Sequence, residues 1–171
     1  MSGYVHVYTG DGKGKTTAAL GLALRAAGAG WNVFLAQFAK GTSTSELRAL
    51  GRFADRIAVR QFGGERFVAE PPAASDLAAA ERGLAECAAA IASGRYRLVI
   101  LDEANLAPLL RLFPVERLLE LIDARPDHVE LVLTGRGAHP RVLERADLIT
   151  EMREVKHYYR RGVAARAGIE R

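Results

Sequence analysis

Apolar positions fall along this chain in two alternating rhythms. Short, nearly continuous apolar runs such as Leu98-Val99-Ile100-Leu101 and Val129-Glu130-Leu131-Val132-Leu133 read as strands buried on both faces. Longer stretches between them carry spaced apolar residues and read as helices. The pattern predicts strands at 4–8, 32–38, 57–62, 97–102, 128–134 and 147–151. It predicts helices at 15–28, 43–53, 73–93, 104–111, 114–124 and 139–145. Strand and helix alternate throughout, so the expected fold is α/β, a mainly parallel sheet with crossover helices on both faces. Gly28-Ala29-Gly30 ends the first helix, Pro114 suits a helix start, and Pro126 and Pro140 mark turns or helix starts. Ser43 and Glu46 have capping-box spacing. Two stretches break the rhythm. Residues 63–72 form a loop rich in glycine and proline, and residues 152–171 form a charged tail without periodicity.

Length changes this picture little: 171 residues suit a single domain spanning 1–171. Apolar residues make up 49% and charged residues 26%, as in a soluble globular protein. No apolar run approaches the ~18 residues a membrane helix needs. With no secretory pattern at the start and a single cysteine, Cys87, the expected location is the cytoplasm. Net charge is +4, but no dense Lys/Arg run argues for nucleic acid. Cys87 lies among alanines and reads as a packed small residue, and the four histidines show no zinc-ligand spacing.

The candidate chemistry begins at Thr9-Gly10-Asp11-Gly12-Lys13-Gly14-Lys15-Thr16-Thr17, between the first strand and the first helix. Glycines let a backbone turn its N–H groups toward phosphate oxygens, and the helix adds its positive N-terminal end. Lys15 is placed to reach a phosphate and the Thr16 hydroxyl to ligate Mg²⁺. The loop departs from G-x-x-x-x-G-K-[ST] in one respect: Thr9 stands at the first glycine position, and Gly10 comes one place late.

Three other strand ends open toward the same edge of such a sheet. Asp102 and Glu103 follow Leu98–Leu101, where a phosphate loop's partner strand delivers a carboxylate to the metal. The alternative for Asp102 is a helix cap for 104–111. Arg136, in Thr134-Gly135-Arg136-Gly137-Ala138-His139-Pro140, clamps a phosphate or is a solvated turn residue. Gln37 and Lys40, in Gln37-Phe38-Ala39-Lys40-Gly41, face the site, or Lys40 is a plain surface charge.

Taken together, these segments resemble the P-loop corrinoid adenosyltransferases. The loop at 9–19 is similar to T-G-N-G-K-G-K-T-T-A-A, with Asp11 for Asn, so the late glycine is itself a shared trait. Residues 37–41 resemble Q-F-x-K-G, Leu101-Asp102-Glu103 the family's acidic strand end, Ala124-Arg125-Pro126 the A-R-P and 134–139 the T-G-R-G-x-H. Ala146–Glu151 resembles A-D-x-x-[ST]-E. Val155-Lys156-His157, Gly162-Val163 and Gly168-Ile169-Glu170 resemble V-K-H, G-V and G-I-[DE].

The resemblance implies a RecA-like P-loop domain, ATP as co-substrate, Mg²⁺, and a reduced corrinoid whose Co(I) attacks the 5′ carbon of ATP. Inorganic triphosphate leaves. It also implies an unusual ATP orientation that exposes the ribose carbon to the corrin, a reductase partner and a homodimer. On this reading Lys15, Thr16 and Glu103 carry catalysis. Thr9 to Thr17, Gln37, Lys40 and Arg136 bind the nucleotide, and Thr16 and Glu103, with Asp102 behind them, hold the metal. Relatives carry G-x-G-F-x-W aromatics near 63–72, beside the lower corrin face. This chain keeps Phe67, lacks the second aromatic and has Arg66 in place of a glycine. The alternatives are a P-loop NTPase or kinase, which releases ADP and phosphate without corrinoid, and a nucleotide- or nucleic-acid-binding regulator without turnover.

Overall fold

The computed structural model describes residues 2–42, 44–64 and 68–170. Six strands, β1 (Val5–Thr9), β2 (Val33–Phe38), β3 (Ile57–Phe62), β4 (Leu98–Asp102), β5 (Glu130–Thr134) and β6 (Leu148–Glu151), form one sheet. Their order is β3-β2-β4-β5-β1-β6, and every pair is parallel. The helices are α1 (Lys15–Gly28), α2 (Ser45–Leu50), α3 (Ala74–Ala92), α4 (Glu116–Asp123) and α5 (Pro140–Leu143). Each predicted strand is present, with ends shifted by a residue or two. The predicted helix 43–53 divides into α2 and a 3₁₀ turn at Gly51–Phe53, and the Ser43 cap falls outside the described residues.

The helix expected at 104–111 does not form. Residues 103–112 make successive turns instead, closed by Leu106 N–H to Glu103 O and Arg111 N–H to Pro108 O, both 3.1 Å. Pro108 removes a donor and its ring opposes the carbonyl four residues earlier. Asn105 N–H goes to Thr134 O (3.0 Å) rather than into a helix. Glu103 and Arg111 bound the segment with φ of +59° and +56°.

Alternation within each strand divides the core into two layers. On one face, Ala19, Ala23 and Ala26 of α1 pack on Val33, Leu35, Leu98, Ile100 and Val132. These small residues recur at helical spacing, so α1 lies close against the strands. On the other face, α3, α4 and α5 bring Leu84, Ile91, Leu118 and Val142 onto Phe34, Val99, Leu101 and Leu131. Each large side chain buried this way contributes on the order of 1.5–3 kcal/mol. α1 ends where the glycines predict: Gly30 takes φ +83° while Trp31 N–H closes on Ala26 O at 3.0 Å.

The α1-side alternation turns polar at the carboxyl ends of the strands. Gln37 continues from Leu35, Asp102 from Ile100 and Thr134 from Val132, and all three are fully buried. Gln37 and Asp102 are paired residues in the β2–β4 register. The sheet thus delivers a buried polar cluster to the point where α1 begins.

Candidate active site

The glycine loop runs from Thr9 to the first residue of α1, Lys15. Its glycines serve close packing as much as turning. A Cβ on Gly10 or Gly12 would fall 2.5 or 2.7 Å from the Met152 carbonyl oxygen, inside the segment that follows β6. Gly10 and Gly14 also hold φ of +94° and +124°, which only glycine adopts freely. Gly12 N–H donates to Met152 O (2.7 Å) and Met152 N–H to Thr9 O (2.8 Å). The Gly12 amide is therefore committed to the protein and does not belong to the expected amide nest. Ala18 N–H makes the helical bond to Gly14 O (2.8 Å). The amides of Lys15, Thr16 and Thr17 are the helix-start donors that precede it.

Lys15 is almost wholly buried, its Nζ donating to Gly10 O (2.6 Å) and Gly12 O (2.8 Å) inside the loop. Burial lowers its pKa, with Glu103 opposing the shift.

Asp102 is the hub of the site. Oδ1 accepts from Thr16 Oγ1 (2.8 Å) and Thr134 Oγ1 (2.6 Å). Oδ2 accepts from Gln37 Nε2 (3.1 Å) and Lys40 Nζ (2.8 Å). Burial pushes this carboxyl up, yet the Lys40 charge and the hydroxyl donors outweigh burial and hold it below the usual range. Lys40 shows the converse: burial alone would lower its pKa, and Asp102 raises it above the ordinary value. Asp102 caps no helix. Its oxygens are spent orienting Thr16, whose hydroxyl keeps its lone pairs for another ligand.

Glu103 lines the open cavity. Its N–H donates to Thr134 Oγ1 (3.0 Å), and burial followed by the Asp102 charge raises its carboxyl pKa. Gln37 does not reach the cavity. It lies behind Asp102, held by Gln61 Nε2 donating to its Oε1 (3.0 Å). Thr9 staples the loops together, its Oγ1 accepting from Ala138 N–H (3.2 Å). Asp11, Thr17, Lys40 and Arg136 line the cavity. Lys13 lines it too, while its Nζ donates to Ile169 O (2.7 Å). Phe67 lies outside the described residues.

The cavity, about 1000 Å³, has a wall that sequence reasoning did not foresee. Glu154, His157, Tyr159, Ile169 and Glu170 of the C-terminal tail line it beside the loop, and Ser45 and Glu46 line it as well. The tail has no helical or strand period to signal a role. The short V-K-H, G-V and G-I-E segments marked it.

A parallel sheet, a glycine loop leaving β1, a Lys-Thr pair opening α1 and a strand-end aspartate bonded to that threonine define a P-loop nucleotide-binding domain. Residues 1–171 match the family described as ATP:corrinoid adenosyltransferase BtuR/CobO/CobP, and the chain belongs to that family. It is 39% identical over 170 residues to the corrinoid adenosyltransferase of Pseudomonas aeruginosa, covering 98% of this chain and 83% of that protein. It is 37% identical to corrinoid adenosyltransferase CobA of Salmonella typhimurium, covering 98% and 85%. With the corrinoid adenosyltransferase of Escherichia coli K12 it shares 36% identity, again over 98% and 85%.

Proposed function

We propose that this protein transfers the 5′-deoxyadenosyl group of ATP to the Co(I) centre of a reduced corrinoid, in the synthesis or salvage of adenosylcobalamin. The observation that carries the reading is the division of labour at the β4 end. Asp102 is taken up by Thr16, Thr134, Gln37 and Lys40, while Glu103 beside it lines the cavity. Such a site holds and neutralises a polyphosphate. That is what the reaction requires, because the corrinoid cobalt is itself the nucleophile and needs no activated serine, cysteine or water. Cobalt gives its electron pair to C5′, the C5′–O bond breaks, and the bridging oxygen leaves with the triphosphate.

In this scheme the Lys15, Thr16 and Thr17 amides and the Lys15 ammonium bind the triphosphate, and Arg136 stabilises its growing charge. The donor set at Thr16 and Glu103 fits Mg²⁺: both are hard oxygen ligands, and Mg²⁺ takes few protein ligands and completes its octahedron with phosphate oxygens and water. Bound there, the ion would neutralise charge on the leaving group. The nucleoside end points toward Glu103 and Lys40, and the corrinoid approaches from the β4–β2–β3 side. Contact between the two loops there supports this: a Cβ on Gly41 would lie 2.4 Å from Gly63 O, so the root of 63–72 abuts the Lys40 loop. Phe67 is the candidate corrin-face aromatic. The reading carries with it a cytoplasmic location, an electron-delivering reductase and a homodimer. Exposed Leu148 and Ile149 on edge strand β6 support the homodimer.

The test incubates the protein with ATP, Mg²⁺ and chemically reduced cobalamin. A light-sensitive alkyl-cobalt product is expected, and Lys15→Ala should abolish it. ATP consumption without that product would overturn the reading.

A further inference from the structure

The tail wall calls for an explanation that the transfer reaction does not supply. Residues 152–171 hold six basic residues and two acids, which accounts for the chain's entire formal net charge of +4. Among the described residues, both acids are engaged within the segment. Glu154 binds Arg160 Nε (2.6 Å), and Glu170 accepts from Tyr158 Oη and from Arg166 (3.1 Å). Arg166 also lies over the Tyr158 ring, 4.8 Å from its centre. These contacts close the segment on itself, and Met152 and Ile169 tie it to the glycine loop at Gly12 and Lys13. The result is a preformed wall against the phosphate loop that presents Glu154, His157, Tyr159, Ile169 and Glu170 to the cavity, with both carboxylates already paired inside the segment.

Its donors suit an anion. His157 Nδ1 accepts the Tyr159 N–H (3.0 Å), so the neutral ring carries its proton on Nε2 and offers a donor there. Tyr159 is 74% exposed in a 3₁₀ turn at Tyr158–Arg161 and lines the cavity, as do His157 and Lys13. The Lys13 ammonium spends one of its three protons on a backbone carbonyl.

Topology sets which end of a ligand meets this wall. β1 and its loop have β5, β4 and β2 on one side and β6 with the tail on the other. A triphosphate whose ester end points at Glu103 and Lys40 points its free end at Lys13, His157 and Tyr159. We infer that Lys13 and the tail form a receptor for the terminal phosphate, so that the protein distinguishes ATP from ADP by polyphosphate length. The direction rests on the proposed reaction, which places the nucleoside on the Glu103 side.

Calorimetric binding of ATP, ADP and inorganic triphosphate, in Mg²⁺ buffer, to wild type, Lys13→Ala, His157→Ala and Tyr159→Phe tests this. Lys13→Ala should weaken ATP and inorganic triphosphate by about tenfold and ADP by less than about twofold. Tyr159→Phe removes one hydroxyl from an exposed side chain, so its fold stays intact, and it should give the same pattern at about threefold. Equal losses for ATP and ADP with triphosphate unaffected would place the nucleoside on the tail and overturn the inference. Unchanged binding of all three ligands by every variant would overturn it as well. Adenosyl transfer is read separately from cobalt alkylation in the same samples. Its absence beside a selective ATP and triphosphate loss would sink the reaction and leave the receptor standing.

Discussion

Replacing Asp102 by Asn keeps the shape of the hub and removes its charge. Asparagine retains one oxygen for Thr16 and Thr134, but turns an NH₂ group toward Gln37 Nε2 and Lys40 Nζ, two donors that have lost their acceptor. Breaking a buried ion pair from one side costs about 3–5 kcal/mol. Lys40 keeps 29% of its side chain exposed, so water recovers part of this, and a net loss of about 2–4 kcal/mol is expected. Urea unfolding at pH 7 measures it. The pH dependence follows from the depressed Asp102 pKa. Its contribution is fully present above the ordinary carboxylate range and is lost as pH falls through the lower folded-state value. The gap between wild type and Asp102→Asn should therefore narrow in acid. A loss under about 1 kcal/mol at pH 7, or a gap that stays constant into acid, would refute the hub argument.

Three further outcomes follow from the same geometry. Gly12→Ala drives a Cβ to 2.7 Å from Met152 O, with backbone on both sides, so thermal stability should drop and the tail should become more protease-sensitive; unchanged cleavage would contradict the packing. Burial and the Asp102 charge raise the Glu103 pKa, so wild type loses stability as pH rises from the ordinary glutamate value through the raised one. Glu103→Gln should escape that loss, melting higher than wild type at pH 7 while binding Mg-nucleotide more weakly; a lower melting point would count against it. Cys87 is fully buried and its thiol is pushed up by burial, so alkylation should occur only on unfolding; rapid labelling of the native protein would show the core to be open at α3.

The strands were legible because each buried run carries its own period. The loop at 9–17 was legible because glycine, lysine and threonine have specific local meaning there. The helix expected at 104–111 is a run of turns instead. Its apolar spacing is helical, but Pro108 and the Asn105 bond to Thr134 outweigh periodicity, and that bond joins residues far apart in the chain. The same distance hid the role of Gln37: its interior position depends on the register that sets β2 beside β4. The loop glycines looked like devices for phosphate alone, since nothing local announces that Met152 packs against them. The tail wall was least visible, because an irregular segment shows its function only through what it touches.

The central claim is that the phosphate loop holds the leaving group while the bond that breaks is C5′–O. ATP labelled with ¹⁸O at the 5′ bridging position, incubated with Mg²⁺ and a Co(I) corrinoid, tests it directly by mass spectrometry of the phosphate products. The account predicts inorganic triphosphate carrying the label, formed in step with the alkyl-cobalt product. ADP and inorganic phosphate, with the label left on the nucleotide, would contradict it.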